Sequence, residues 1–243
     1  MVSGGFAVPA GWGHSRGPIG DVEVTEGRPL SVLELGVLPY AEALELQADL
    51  IVKRRAGDIS DTLLLLEHPH VITMGSGAHE EHVLVSEAER EQMGIELFKA
   101  GRGGDVTYHG PGQLIAYPIL DLKPGRKDIH AYLRDLESVV MSVANAYGVE
   151  GERSTAGTGV WTSQGKLAAI GVRVSSGWIT SHGIALNVSS DLSYFSTIVP
   201  CGIRGHGVTS LERELGTTLG VSAVGKVFAY HFAECFGHLT QVA

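Results

Sequence analysis

A cysteine between proline and glycine, Cys201, is the first residue whose type and setting suggest chemistry. It stands in the segment IVPCGI, residues 198–203. Proline fixes its own φ, glycine lets another group approach closely, and the flanks lack helical spacing. We therefore expect this thiol on a loop, where it is a candidate nucleophile; the alternative is an inert, half-buried cysteine. The second cysteine, Cys235, lies on the apolar face of a predicted helix and is expected to pack in the core.

A glycine-rich segment, GRGGDVTYHGPGQ at residues 101–113, concentrates polar side chains between five glycines. Such a segment can bring backbone N–H groups and a guanidinium to a carbonyl or a phosphate. It lacks the Lys-Ser/Thr ending of a phosphate-binding P-loop and the GxGxxG spacing of a dinucleotide site. The functional interpretation is favoured, and the alternative is a glycine-rich turn between two strands.

A lysine opens a predicted strand in the segment GKLAAIG, residues 165–171. If Lys166 lay against the small apolar residues that follow it, burial would favour the uncharged amine. The position by itself is more typical of a solvated lysine at a strand end. The segment SHGIALN, residues 181–187, sets His182 beside small residues that suit a pocket wall, but taken alone this signal is weak.

Four further histidines, His68, His70, His79 and His82, suggest a metal site at first sight. Their spacing matches no zinc-binding template, and no cysteine is nearby. We therefore expect surface or supporting histidines and no metal ion.

The elements that position these groups are predicted from periodicity and turn residues. Ser86 with Glu89, and Thr209 with Glu212, have the spacing of capping boxes. Alternating β-branched and polar residues over 160–188 predict an antiparallel meander. Because strands and helices mix without strict βαβ alternation, the pattern favours an α+β or mixed-sheet α/β fold. The predicted helices are 40–55, 86–93, 129–147, 209–216 and 222–238; the strands are 31–35, 62–67, 95–99, 105–108 and 114–120, with a loop over 68–81.

Composition excludes several classes of protein. The chain has 243 residues, of which 44% are hydrophobic and 19% charged, and the net charge is 18 − 27 = −9. This indicates a folded, acidic protein that is a poor general binder of nucleic acid. The apolar run Leu63–Leu66 is too short to span a bilayer, and the first residues lack the pattern of a secretory signal. We expect a cytoplasmic protein with a loose leader over 1–29 and one catalytic domain over 30–243.

Taken together, these segments resemble the lipoyl(octanoyl) transferase family, which shares a fold group with lipoate and biotin protein ligases. The resemblance extends in order from about residue 31 to 215. It rests on the segments RGG and TYHGPGQ (102–104 and 107–113), GVW (159–161), KLAAIGVR (166–173), HGIALN (182–187), DL (191–192) and IVPCG (198–202).

The resemblance implies a single α/β domain of the biotin/lipoate protein ligase type, with a curved mixed sheet flanked by helices. It implies that Cys201 carries the acyl group and that Lys166 is its acid/base partner. It also implies an acyl pocket, one wall of which would come from the glycine-rich segment. The implied pocket residues are Arg102, Gly103, Gly104, Asp105, Val106, Thr107, Tyr108, His109, Ala169, Ile170, Gly171, Gly183, Ile184 and Ala185.

The implied reaction moves an octanoyl or lipoyl group from acyl carrier protein to a lysine of a lipoyl domain. The acceptors would be the lipoyl domains of 2-oxoacid dehydrogenase complexes and the H protein of glycine cleavage. No cofactor, nucleic acid or membrane partner is expected, and the protein is expected to be a monomer. One residue departs from the family pattern: Ile72 stands where an aromatic residue is expected, at the presumed edge of the pocket.

Two other functions stay open. An ATP-dependent lipoate or biotin ligase would activate a free acid and would not need Cys201. A non-catalytic acyl-binding protein of the same fold would need neither Cys201 nor Lys166, so the presence of both residues argues against it.

Overall fold

The computed structural model describes residues 27–155, 157–199 and 207–241. Nearly all of the predicted leader and Cys201 lie outside the described residues. The five helices in this part of the chain are α1 (Tyr40–Ala56), α2 (Glu87–Gln92), α3 (Ile129–Ala146), α4 (Leu211–Leu215) and α5 (Val221–Phe236). The strands are β1 (Arg28–Val37), β2 (Asp61–Glu67), β3 (Val71–Met74), β4 (Glu96–Lys99), β5 (Val106–His109), β6 (Gln113–Ile119), β7 (Glu152–Ser154), β8 (Gly157–Thr162), β9 (Gly165–Val174), β10 (Thr180–Asn187) and β11 (His238–Gln241).

Eight strands form a mixed sheet in the order β11-β1-β2-β6-β10-β9-β8-β7. β1 runs parallel to both β11 and β2. Each of the other neighbouring pairs in this sheet, β2-β6, β6-β10, β10-β9, β9-β8 and β8-β7, is antiparallel. A smaller sheet, in the order β4-β3-β5, carries residues 106–109 of the glycine-rich segment. The expected mixed α/β fold, a mixed sheet with helices on its faces, is confirmed.

Alternate residues of β2 point into two different cores. Leu63 and Leu65 pack with α3 and α5 on one face of the large sheet. Leu64 and Leu66 pack with α1 on the other face. Because both faces are covered, the strand is apolar throughout, and this is why its sequence reads as a continuous apolar run.

The predicted helices over 40–55, 86–93 and 129–147 and the antiparallel meander are confirmed to within a few residues. The Ser86–Glu89 capping box forms at the start of α2. Three short strands were not predicted: β3 lies inside the expected loop, and β7 and β11 have three and four residues. The last helix ends earlier than expected because Gly237 adopts a left-handed conformation, with φ of 64°, directly after Phe236.

The predicted Thr209–Glu212 capping box is wrong. Ser210 caps α4 by accepting a hydrogen bond from the backbone N–H of Arg213. Thr209 lies fully buried, and its backbone N–H donates to the Lys166 carbonyl while its hydroxyl donates to Glu214. The threonine is therefore used to attach this segment to the strand that carries Lys166.

Among the described helices there is none whose length and apolar content would let it cross a membrane.

Candidate functional site

A cavity of about 490 Å³, counting its mouth, lies between β9, β10 and the glycine-rich segment. All but one of the fourteen residues expected to form the acyl pocket line it. They are Arg102, Gly103, Gly104, Asp105, Val106, Thr107, His109, Ala169, Ile170, Gly171, Gly183, Ile184 and Ala185, joined by Tyr40, Tyr117, Lys166 and His182.

Strand register separates the two ends of this cavity. Lys166 is the second residue of β9, and Gly171, five residues further on, pairs with Gly183 of β10. At about 3.3 Å per residue, Lys166 and Gly171 lie roughly 16 Å apart along β9. Small and apolar residues, Ala169 and Ala185 among them, stand between. The cavity therefore has a lysine at one end and an apolar wall leading away from it.

Lys166 is 8% exposed, so its interpretation as a solvated lysine is wrong. Its Nζ lies 4.7 Å from the centroid of the Trp161 ring, a distance at which the ring face attracts a cation. Its backbone N–H donates to the Gly207 carbonyl. Gly159 passes beneath it with φ of 141°, and a β-carbon there would stand 2.9 Å from Lys166 Cε. Neighbours from β8 and from the chain at residue 207 thus determine where this side chain lies.

Arg102 is buried and held by the backbone and side chain of Thr73. Its Nη2 donates to the Thr73 carbonyl at 2.6 Å and to Thr73 Oγ1 at 2.8 Å, and its Nη1 donates to the Gly103 carbonyl at 3.0 Å. The guanidinium therefore fixes the wall of the cavity and adds a positive charge to it.

His109 continues the same network. Its Nδ1 lies 2.8 Å from Gln113 Oε1, an acceptor, so Nδ1 carries the proton and Nε2 accepts from the Thr73 hydroxyl at 3.3 Å. The Gln113 amide in turn donates to Asn187 at 2.8 Å. Desolvation lowers the pKa of His109 well below its usual range, and the imidazole is neutral at pH 7.

Two other histidines near the cavity are also neutral. Burial lowers the pKa of both His68 and His182 to about 4. His68 donates from Nδ1 to the Leu38 carbonyl at 2.6 Å and accepts the Tyr117 hydroxyl at Nε2, at 2.9 Å. His182 has φ of 54°, and its backbone N–H donates to Gln47 at 2.7 Å, which holds it in this unusual conformation.

Two cavity residues were missed by the sequence analysis. Tyr40 begins α1 and Tyr117 lies in β6, and both are almost fully buried. Tyr40 stands at the start of a predicted helix and Tyr117 in a predicted apolar strand, and neither context carries a sequence signal that indicates a binding residue. Only the packing of α1 across β6 and β10 brings them to the site.

Tyr108 does not line the cavity, in contrast to expectation. Side chains alternate along β5, so Thr107 and His109 lie on the cavity side and Tyr108 on the other. There its hydroxyl lies 2.7 Å from His70 Nδ1, and its ring stacks on Tyr194 at 5.3 Å between centroids. Ile72 packs in this second cluster with Tyr108 and is fully buried, so its departure from the family pattern does not touch the cavity wall.

The expectation of surface or supporting histidines holds in part. His68 is fully buried, not on the surface, and His82 pairs with Asp105 at 2.6 Å. Within the described ranges there is no group of three or more metal-binding side chains. Cys235 is half-buried on α5, with its Sγ 3.6 Å from the Asp135 carbonyl.

The chain on both sides of residues 200–206 lies beside Lys166. Phe195 and Val208 line a small recess that also contains Lys166, Gln113 and Asn187. Val208 and Lys166 are paired as a parallel bridge. The candidate nucleophile, Cys201, belongs to the segment between these two chain ends, outside the described residues.

Comparison with known proteins defines the class to which this architecture belongs. The model of the lipoyl protein ligase A/B catalytic domain family matches residues 39–233. A lipoate protein ligase from Thermoplasma acidophilum has a TM-score of 0.64 at 16% identity, covering 88% of this chain and 87% of its own. A lipoate-protein ligase A bound with ATP has a TM-score of 0.59 at 17% identity, covering 88% and 89%. At these identities the likeness concerns the fold.

Sequence relatives are more specific. The octanoyltransferase of Rubrobacter xylanophilus is 54% identical over 203 residues, which cover 83% of this chain and 91% of the relative. That of Solibacter usitatus is 51% identical, covering 84% and 91%. The chain belongs to the octanoyltransferases of the lipoyl protein ligase A/B catalytic domain family, and it is an acyltransferase.

Proposed function

We propose that this protein transfers an octanoyl or lipoyl group from acyl carrier protein to a lysine of a lipoyl domain, through a thioester on Cys201. The single observation that carries the proposal is the buried Lys166 at one end of a largely apolar cavity. A lysine in that setting serves proton transfer next to a bound acyl group, and passive binding of the chain has no use for it.

The acyl chain would lie along β9 and β10. Ala169 and Ala185 line the cavity, and Ile170 and Ile184 border it with their side chains packed in the core on the opposite face of the sheet. Each buried methylene contributes about 0.8 kcal/mol to binding. The glycine-rich segment, anchored through Arg102, would close the other side. Because the histidines of the wall are neutral, they add no further charge beside the hydrocarbon to that of Arg102.

In the first step the Cys201 thiolate attacks the thioester carbonyl of the donor. The new C–S bond forms as the bond to the carrier's sulfur breaks, and the leaving thiolate takes a proton from the Lys166 ammonium, which leaves that lysine as a neutral amine for the second step. A free cysteine has a pKa of about 8.5, so only a few per cent is thiolate at pH 7. A cationic lysine nearby would raise that fraction, and Lys166 is the candidate.

In the second step the acceptor lysine attacks the enzyme thioester. An amide forms, Cys201 leaves as the thiolate, and one proton is taken from the attacking amine. A lysine amine has a pKa of about 10.4, so fewer than one in a thousand acceptor lysines are neutral at pH 7 and a base is needed. Lys166 is the proposed base. The conversion of a thioester to an amide is downhill, and the scheme needs neither ATP nor a metal ion.

The proposed acceptors are the lipoyl domains of 2-oxoacid dehydrogenase complexes and the glycine cleavage H protein. The proposed setting is a monomer in the cytoplasm. Donor and acceptors are typically acidic, so docking needs local positive charge on this acidic chain. Of five candidate cations, Arg54, Arg55, Lys123, Arg126 and Lys127, the first forms a largely buried pair with Asp61 at 2.7 Å. Arg126 and Lys123 form more exposed pairs, with Asp135 at 3.1 Å and with Asp121 at 3.9 Å. Arg55, Lys123, Arg126 and Lys127 remain the proposed contacts.

Intact-protein mass spectrometry tests the covalent route. The wild type is incubated with octanoyl-acyl carrier protein without ATP, beside Cys201→Ser, and Cys235→Ser is the matched control because that cysteine lies on α5. We expect one octanoyl group on wild type and on Cys235→Ser, released by hydroxylamine, and none on Cys201→Ser. Octanoylation of a lipoyl domain by Cys201→Ser at the wild-type rate would refute the thioester.

Lys166→Ala tests the base. We expect turnover to fall by at least a hundredfold, the lower bound for the loss of a general acid or base. Full turnover of this variant would refute the assignment. Labelling of the acceptor only with free octanoate and ATP would identify a ligase, and acyl binding without transfer under either condition would identify a binding protein.

A further inference from the structure

The end of the cavity remote from Lys166 is polar. The rung at Gly171 and Gly183 lies beside Arg102, Tyr117 and His182, and Tyr40 reaches the same region from α1. The stretch between this end and Lys166 is lined by Ala169 and Ala185, while the side chains of Ile170 and Ile184 pack in the core on the opposite face of the sheet. A saturated acyl chain would thus pass along an apolar wall and finish against hydrogen-bonding groups.

Most polar groups at this end already have partners. The Tyr117 hydroxyl donates to His68 Nε2, and the Arg102 guanidinium donates to Thr73 and Gly103. The Tyr40 hydroxyl differs, because no atom of the described residues forms a hydrogen bond with it although the residue is 1% exposed. Burial raises the pKa of Tyr40 to about 12, so the group is a hydroxyl donor at neutral pH.

An unpaired buried hydroxyl is costly, and folded proteins leave few of them. A residue at the wall of a ligand cavity can obtain its missing partner from the ligand. His182 offers the complementary group: its ring lies at the same end, it is 5% exposed, and none of the described residues forms a hydrogen bond with its ring nitrogens. A neutral imidazole supplies one donor and one acceptor.

We infer that the cavity end remote from Lys166 is a hydrogen-bonding subsite, in which Tyr40 recognises medium-chain acyl groups that carry a hydroxyl on their last carbon. The inference rests on the proposed acyl transfer and specifies its substrate class. The Tyr40 hydroxyl donates to the distal oxygen of the acyl group, and that group's own O–H donates to the free imidazole nitrogen of His182. The transfer chemistry at the other end of the chain is unchanged.

Two donor substrates that differ only in the terminal hydroxyl test the subsite. Octanoyl- and 8-hydroxyoctanoyl-acyl carrier protein are presented separately to wild type and Tyr40→Phe, and kcat/KM is obtained from the mass of the modified lipoyl domain. The readout is the ratio of the two values, hydroxyoctanoyl over octanoyl. We expect wild type to use both substrates within tenfold of each other. We expect Tyr40→Phe to lower the ratio about tenfold, since one hydrogen bond is lost and the substrate hydroxyl is left buried.

The matched control is Tyr132→Phe, which also removes a hydroxyl from a fully buried tyrosine. Tyr132 packs on α3 within the main core and does not line the cavity. We expect it to leave the ratio within twofold of wild type. A wild-type ratio below one in a hundred would overturn the inference, and so would an equal ratio in wild type and Tyr40→Phe.

A binding measurement separates this inference from the proposed function. Calorimetric titration with octanoate and with 8-hydroxyoctanoate needs no turnover. If wild type failed to transfer octanoyl, the proposed function would fall, while a tenfold selective loss of hydroxyoctanoate binding in Tyr40→Phe would still support the subsite. Equal losses for both acids would refute it.

Discussion

Lys166 and Trp161 face each other across the β8–β9 pair, with Lys166 Nζ 4.7 Å from the centroid of the indole ring. The tryptophan is 4% exposed, so the lysine has one side closed by an aromatic face. Such a contact contributes about 2 kcal/mol of attraction when it is shielded from water. The sequence places these residues five apart, and the paired strands bring them into contact.

Replacing Trp161 with leucine therefore misplaces the lysine. We expect kcat for octanoyl transfer to fall about tenfold, because the side chain loses the surface that orients it, while KM changes less than threefold. Steady-state kinetics measures both. Trp178→Leu serves as the control, since Trp178 lies on the β9–β10 turn away from the cavity. Equal kcat for the two variants would contradict the positioning role.

A β-carbon at residue 183 would overlap the Ala116 carbonyl oxygen and stand 2.8 Å from Pro118 Cδ. Both obstacles belong to β6, so β10 would have to move. We expect Gly183→Ala to lower the free energy of unfolding by about 1–3 kcal/mol and to reduce activity, because the cavity wall shifts. Urea unfolding measures the first effect. Gly125→Ala, where a β-carbon meets nothing within 4 Å, should be neutral.

Thr73 links Arg102 to His109 through one hydroxyl. Replacement by valine keeps the shape but leaves Arg102 Nε and His109 Nε2 without this partner. We expect a loss of about 2–3 kcal/mol in unfolding free energy, because two buried polar atoms lose their hydrogen bonds. The matched control is Thr62→Val on β2, which removes one hydrogen bond of 3.2 Å to Ser60. A smaller loss at Thr73 than at Thr62 would contradict the network.

Acid should destabilise the protein through its buried histidines. The pKa of His68 and of His182 is about 4 in the folded state, against about 6.5 in the unfolded chain. Between these values the unfolded state binds more protons, so the free energy of unfolding rises with pH and is lost on acidification from 6.5 towards 4. At pH 5 the loss is about 2 kcal/mol for each histidine.

Urea unfolding at pH 7, 6 and 5 measures this slope. His182→Asn removes one titrating group at a position whose φ of 54° asparagine tolerates. We expect its stability to fall less steeply with acidification than that of wild type. The same slope in both proteins would show that His182 does not contribute.

The long elements follow from local sequence patterns, and most of the cavity residues follow from the family resemblance. Amphipathic stripes marked α1 and α3, and turn residues separated the strands of the meander. Fifteen of the seventeen cavity residues lie in the segments 101–113, 165–171 and 181–187, because each motif is contiguous in the sequence. The roles of Cys201 and Lys166 stay predictions that the proposed variants test.

The burial of Lys166, the short strands and the orientation of several side chains depend on tertiary contacts. Lys166 is buried because Trp161, Gly159 and Gly207 surround it, and Tyr40 joins the site because α1 packs across the sheet. The short strands β3, β7 and β11 form through pairing with distant segments, so their own three or four residues carry little signal. Tyr108 faces away because strand register fixes which alternate side chain enters the cavity. The burial and the orientation of a side chain depend on contacts between residues far apart in the chain, and local sequence patterns do not contain that information.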